Sequence, residues 1–288
     1  MLTEIDRFVN WIRRRNPAAY TWHSYRYDLH QFIETVGDLP AAEITLHHID
    51  DFIQAQADRG LQASTINRSL VALNSLYRFL SEEDGEIDCP IIPHRHFLRQ
   101  PRRLPRSVPH EEIDKLFAVI TEPRDRAIFL LMLRCGLRIS EVSKLNLRDL
   151  YLSERPSRLQ VLGKNSKERA VYLSAQVEKA VRDYLAVRPS TTDTPALFLT
   201  YKNTRLGVRS IQKRLAKYRD QAGVMLTPHQ LRHNFANDLI LADVPIASIQ
   251  KLMGHEWIAT TELYISANSA KVKKDFYQAT QQVEAWYV

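Results

Sequence analysis

The sequence predicts a mainly α fold in two parts: an N-terminal helical bundle, then a second, mostly helical α+β domain with a small β-hairpin. Three observations carry that prediction. Apolar residues recur at helical spacing through both halves. A stretch rich in proline and arginine, Cys89 to His110, separates them without a single acid. Two short runs, RLQVL and ERAVYL, flank the polar turn Gly163-Lys164-Asn165-Ser166-Lys167. The 8 glycines among 288 residues argue against glycine-rich nucleotide loops and against a β fold of many tight turns.

Residues 1–86 read as the bundle. Thr3 is placed to cap a first helix with Ile5, Phe8, Val9 and Ile12 on one face. Tyr20 to Val36 sets Tyr25, Leu29, Phe32 and Ile33 at helical spacing. Thr45 precedes a third helix ending at Gly60. Ser64 precedes a fourth, whose stripe is Ile66, Leu70, Leu73, Leu76, Tyr77 and Leu80. The polar edge of that helix carries Asn67, Arg68 and Arg78, which suit a solvated face and a nucleic-acid contact equally.

Residues 87–108 read as a linker. Its prolines interleave with Arg95, Arg99, Arg102, Arg103 and Arg106. Proline keeps such a segment extended, and an all-basic strap suits a duplex backbone, because each neutralised phosphate releases counterions.

Residues 109–288 form the second domain, opening on the helix HEEIDKLFAVI. A long apolar helix then ends at Gly136 and another begins near Ser140, leaving Arg138 in the turn between them. Glu141 falls in the first turn of the new helix, where the dipole favours an acid. Lys164 and Lys167 stand in the hairpin turn. Helices over AQVEKAVRDYLAVR and RSIQKRLAKYRDQAG lead to the stretch Leu226–Ile265.

That stretch begins with a strong helix start: Thr227 as N-cap, Pro228 at the first position and Gln230 completing a capping box. His229 lies in the first turn and Arg232 three residues on, so both project from one face. Unpaired N–H groups joined by an imidazole and a guanidinium make a site for a phosphate. Pro245 opens a second helix and Gly254 closes it. His255 follows at once, and Tyr264 comes nine residues later. These are tools for attack by a phenol oxygen on a phosphodiester.

The composition agrees. A net charge of +7 favours an anionic partner, nucleic acid first and an acidic membrane second. Cys89 and Cys135 form no C-x-x-C motif, so neither a zinc knuckle nor a disulfide framework is suggested. The longest apolar run, Ala127 to Leu133, is too short to cross a bilayer. These features predict a cytoplasmic protein, with no membrane partner.

The motifs His229-Gln-Leu-Arg232-His, Leu252-Met-Gly-His255 and Thr260-Thr-Glu-Leu-Tyr264 resemble the C-terminal motifs of the tyrosine recombinases, the phage-integrase family, with the Xer type nearest in look. Gly136-Leu-Arg-Ile-Ser-Glu141 resembles the family's first arginine motif, and Gly163-Lys164 its hairpin lysine. The run STINRSLVALNSLYRFL resembles the core-binding, SAM-like domain that precedes the catalytic domain.

The resemblance implies a metal- and ATP-independent recombinase that cuts and rejoins DNA through a 3′-phosphotyrosyl link. Its catalytic set would be Arg138, Lys164, His229, Arg232, His255 and the nucleophile Tyr264, with Glu141 in support. It also implies DNA contact by Asn67, Arg68 and Arg78. The substrate would be double-stranded DNA with paired inverted half-sites, bound by a tetramer in the bacterial or archaeal nucleoid. No cofactor is implied. After Tyr264, Val272, Phe276, Val283 and Trp286 form one helical stripe, and in this family the tail often docks on a neighbour.

Three other readings stand beside it: the integrase of a phage or transposable element, a type IB topoisomerase-like nickase, and a DNA-binding regulator without catalysis. A zinc site on His229 and His233 is disfavoured. The residue after His229 is Gln230 where such a site needs a glutamate base, and no third ligand is signalled.

Overall fold

The computed structural model describes residues 1–17, 19–85, 87–100, 108–154, 156–163, 168–190 and 194–254. The chain divides into two compact units, Met1–Arg102 and Arg103–Val288. Among the described residues no helix is long and apolar enough to cross a membrane.

The first unit is built from α1 (Leu2–Arg15), α2 (Thr21–Val36), α3 (Leu46–Asp58), α4 (Ala63–Asp84) and the single turn α5 (Pro93–His96). The stripes read from the sequence meet in one core. Phe8, Leu29, Phe32, Ile49, Phe52, Leu73 and Leu76 are all buried there. The Tyr77 hydroxyl reaches through it to donate to the Ala41 carbonyl at 2.8 Å, which satisfies a phenol that burial would otherwise penalise.

Two expected caps fall elsewhere. α1 starts at Leu2, because the Met1 ammonium is held by Asp38 at 2.9 Å and draws the chain into helix before Thr3. α4 starts at Ala63, with Gln62 rather than Ser64 at the cap.

The linker is also shorter than its proline content predicts. Ile91 joins the first unit's core, Ile87 and Phe97 pack on it, and His96 is fully buried. The Asn67 side chain then pairs both backbone groups of Leu98: its amide donates to the carbonyl at 2.8 Å, and its oxygen accepts the N–H at 2.9 Å. Burial overrides the extended tendency of proline here, so chain through Leu98 folds with the bundle.

The second unit runs α6 (His110–Val119), α7 (Pro123–Cys135), α8 (Ile139–Lys144), β1 (Leu150–Tyr151), β2 (Arg158–Leu162), β3 (Glu168–Tyr172), α9 (Ala175–Val187), α10 (Val208–Ala222), α11 (Pro228–Leu241) and α12 (Ile246–Met253). The expected hairpin is β2 paired antiparallel with β3, Leu159 opposite Val171, and β1 adds a short third strand. Leu159, Val161 and Val171 point into the core. α7 is buried over most of its circumference, Ala127 through Leu133 without a break, and forms the centre of the unit. Its residues pack with those of α6, α9, α10 and the sheet.

Candidate active site

The site starts where α7 stops. Gly136 takes the left-handed conformation, φ +63°, and a Cβ there would overlap the Phe235 ring. Only glycine meets both conditions. The chain leaves the helix sharply, Leu137 turns into the core, and Arg138 becomes the N-cap of α8. Glu141, one turn on and 5 % exposed, accepts the Arg138 backbone N–H at 2.7 Å and its Nη1 at 2.9 Å.

α11 brings the next two groups. Its capping box is formed as expected, the Thr227 N–H donating to Gln230 Oε1 at 2.8 Å and the Gln230 N–H to Thr227 Oγ1 at 3.2 Å. That start leaves His229 exposed in the first turn and turns Arg232 inward, 2 % exposed. The Arg232 guanidinium donates to the Gly136 carbonyl and, at 2.5 Å, to the Met253 carbonyl, and Nη1 stands 3.8 Å from Glu141 Oε2.

The third component is the C-terminus of α12, closed by Gly254 at φ +60°. A helix end leaves carbonyls without intrahelical partners and carries partial negative charge. Three guanidiniums take three successive carbonyls: Arg169 takes Leu252 at 3.3 Å, Arg232 takes Met253, and Arg138 takes Gly254 at 3.4 Å. Arg169 also grips Glu141 with both Nη atoms, each 2.9 Å from a different carboxylate oxygen. One carboxylate and one helix end therefore organise three arginines.

Charge follows from this packing. Burial would raise the Glu141 carboxyl, but the bonds from Arg169 and Arg138 outweigh it and hold it below the ordinary carboxylate range. His229, whose ring is partly shielded where it packs on His233, titrates below its usual range, through that shielding first and then the positive charge of Arg232 and Arg138. Its imidazole is neutral at pH 7 and can accept a proton. His233, edge-on to His229 with ring centroids 4.1 Å apart, is pushed down to about 4 by burial, His229 and Arg232. It belongs to the packing of α11.

Among the residues singled out from the sequence, Arg138, Glu141, His229 and Arg232 are brought together. Lys164, His255, Tyr264 and the stripe Val272, Phe276, Val283 and Trp286 lie outside the described residues, as do Arg102, Arg103 and Arg106. In the first unit Arg78 and Arg99 are exposed. Arg68 forms a bidentate pair with buried Asp28, at 2.7 and 2.8 Å, and Arg95 pairs with Asp50 at 2.5 Å. Asn67 is spent on Leu98, as described. Arg169 was missed. Its only sequence signal is an inward-facing basic residue in a strand, beside buried Val171.

Two family models match the chain: the phage integrase family over residues 106–271, and the phage integrase N-terminal SAM-like domain over residues 5–84. The tyrosine recombinase XerC of Neisseria meningitidis serogroup B is 33 % identical over 276 residues, covering 90 % of this chain and 89 % of its own. The chain belongs to the phage integrase family. Within it, this is a site-specific tyrosine recombinase of the Xer type. The recombinase also shares 30 % identity over 287 residues with tyrosine recombinase XerC of Vibrio cholerae, covering 96 % of this chain and 91 % of the relative. A crystal structure of XerH site-specific recombinase bound to palindromic difH substrate has the same fold, with a TM-score of 0.75 over 88 % of this chain and 78 % of that one, at 21 % identity. The recombinase fold is thus a SAM-like helical domain followed by a mostly helical catalytic domain with a three-stranded antiparallel sheet.

Proposed function

We propose that this recombinase cuts and rejoins double-stranded DNA through a 3′-phosphotyrosyl intermediate, with Tyr264 as nucleophile. The observation that carries the reading is the convergence of Arg138 and Arg232 on the turn that ends at Gly254, the residue before His255, with His229 close enough to both for their charge to lower its pKa. Cleavage of a phosphodiester builds negative charge on the non-bridging oxygens. Two guanidiniums held by one carboxylate supply fixed positive charge for it, and His255 adds a donor.

Tyr264, a phenol with an ordinary pKa near 10, loses its proton to neutral His229 as it attacks. The bond from phosphorus to the 5′ oxygen breaks, and Lys164 protonates that oxygen. The phosphotyrosyl bond conserves the energy of the broken one. A 5′-hydroxyl of the partner strand then attacks it and releases the phenol, with no ATP consumed. The arginines do the charge neutralisation that metal ions perform in other phosphoryl transfers.

The linker arginines that carry no aspartate partner, with exposed Arg78 of the SAM-like domain, follow the duplex backbone. Four subunits act on paired inverted half-sites, joined through the C-terminal stripe Val272, Phe276, Val283 and Trp286. The protein works where the chromosome is, in the nucleoid of a bacterium or archaeon.

The test is covalent trapping. Genomic fragments recovered on the wild-type protein identify the site, and a duplex nicked beside the cleavage point then holds the protein on a 3′ end. Tyr264→Phe is expected to bind that duplex with unchanged affinity and to form no adduct, and wild-type trapping is expected to persist in excess EDTA. An adduct on the Phe variant would transfer the role to another tyrosine. Loss of trapping in EDTA would reject the metal-free scheme.

A further inference from the structure

We propose that Arg169 is a positioning residue for strand cleavage, tying the strand that follows Lys164 to the turn that delivers His255 by holding Glu141 and the Leu252 carbonyl together. This rests on the catalytic reading given above.

Arg169 is spent entirely inside the site. Its side chain is 12 % exposed, its two Nη atoms sit on the two oxygens of Glu141, and its Nε points at Leu252. A guanidinium can satisfy those acceptors at once because its donors form a rigid planar fork. A lysine ammonium is a point charge and cannot.

The consequence for Arg138 is geometric. With Arg169 on both oxygens of the carboxylate, Arg138 engages it through its backbone N–H and Nη1 only. Its Nη2 keeps a single long contact, 3.4 Å, with the Gly254 carbonyl, and the side chain stays 38 % exposed. That is the donor most easily given up to a phosphate oxygen. Without Arg169, Glu141 would have Arg138 as its one close partner and would draw the whole fork inward, away from the substrate.

The second consequence concerns the turn. A Cβ on Gly254 would lie 3.0 Å from Arg169 Nη1 and 3.1 Å from its Cδ, in a backbone conformation that L side chains avoid. Glycine lets the guanidinium lie flat against the last turn of α12. Arg169 is also the second residue of β3, which the chain enters just after Lys164. Hairpin and helix end are held by one side chain.

The experiment uses the full-length protein and the nicked duplex recovered by trapping, with the rate of adduct formation measured across pH beside the affinity and the melting temperature. The charges facing Glu141 are Arg138 from the turn before α8, Arg169 from β3 and Arg232 from α11, and His229 feels Arg138 and Arg232 in turn. Arg169→Gln is expected to slow adduct formation roughly 10- to 100-fold and to change the affinity less than about threefold. Its acid limb, which His229 sets, should shift to higher pH, because Glu141, freed of Arg169, offsets more of the Arg138 and Arg232 charge that holds His229 down. Arg169→Lys should restore the limb but not the rate. Gly254→Ala, which dislodges the fork and keeps the charge, should slow cleavage without moving the limb.

An Arg169→Gln protein that cleaves within about threefold of wild type, or whose acid limb stays in place, overturns the proposal. So does one that loses affinity and melting temperature in step with cleavage, and so does full rescue by lysine. If wild type itself forms no adduct, the catalytic reading fails and this inference with it. An active wild type beside an unimpaired Arg169→Gln rejects the positioning role alone.

Discussion

The N-terminal unit and the catalytic site treat their arginines differently. In the N-terminal unit Arg7, Arg68 and Arg95 each have an aspartate of their own: Asp84 at 2.7 Å, Asp28 at 2.7 Å and Asp50 at 2.5 Å. In the catalytic unit Arg138, Arg169 and Arg232 gather on Glu141, the first two at 2.9 Å and the third at 3.8 Å. A one-to-one pair cancels its own charge and contributes modestly to stability. A three-to-one cluster keeps a surplus of positive charge, two of its arginines largely shielded from water and Arg138 partly open to it. Helix carbonyls absorb part of that surplus, and a phosphate is the natural partner for the rest. The difference marks the site more sharply than any single residue does.

Removing the acid from each arrangement gives the largest expected contrast. Glu141→Gln should lower the rate of covalent adduct formation by about 100-fold or more, since the arginines lose their common anchor and repel one another. Asp28→Asn should leave that rate within about twofold and cost about 1–2 kcal/mol in urea unfolding, because Arg68 is half-exposed and keeps its hydration. Equal losses of cleavage in the two variants would erase the distinction between neutral pair and charged cluster.

The linker arginines extend the comparison to DNA affinity. Replacing Arg99, Arg102 and Arg103 by Gln should weaken binding to all sequences alike. It should also lower the slope of log K against log salt by roughly 2–3 units. An unchanged slope, measured by titration at several salt concentrations, would leave those residues as a plain tether.

The smallest effect is the stability dependence on His233. Its folded-state pKa lies below the unfolded value of 6.5, at about 4, so folding favours the neutral ring. That contribution is fully present above pH 6.5 and is lost progressively as pH falls to about 4. Thermal melts of wild type and His233→Gln should therefore converge as the pH is lowered through this window. Parallel curves would show that the ring is protonated in the folded protein.

Much of this was legible in the chain. Local rules were enough for the helix stripes, for the capping box at Thr227, for the glycines that close α7 and α12, and for the hairpin itself. Each depends on residues a few positions apart, where spacing translates directly into geometry. Arg138, Glu141, His229 and Arg232 were readable because helix starts and stops place them, and because the motifs around them resemble a known family.

Other features were decided only by tertiary packing. Asn67 and Asn234 do the same job in different units, each pairing both backbone groups of one residue: Leu98 for Asn67, and Val108, 126 residues away, for Asn234. Neither asparagine sits in a pattern that announces this. Nor does Arg169, whose partners Glu141 and Leu252 lie 28 and 83 residues away. A sequence determines which faces are apolar and where the backbone can turn, because those are short-range properties. Which distant polar group meets a buried carboxylate or an unpaired carbonyl depends on how the finished elements stack, and only the folded chain brings those partners within hydrogen-bonding reach.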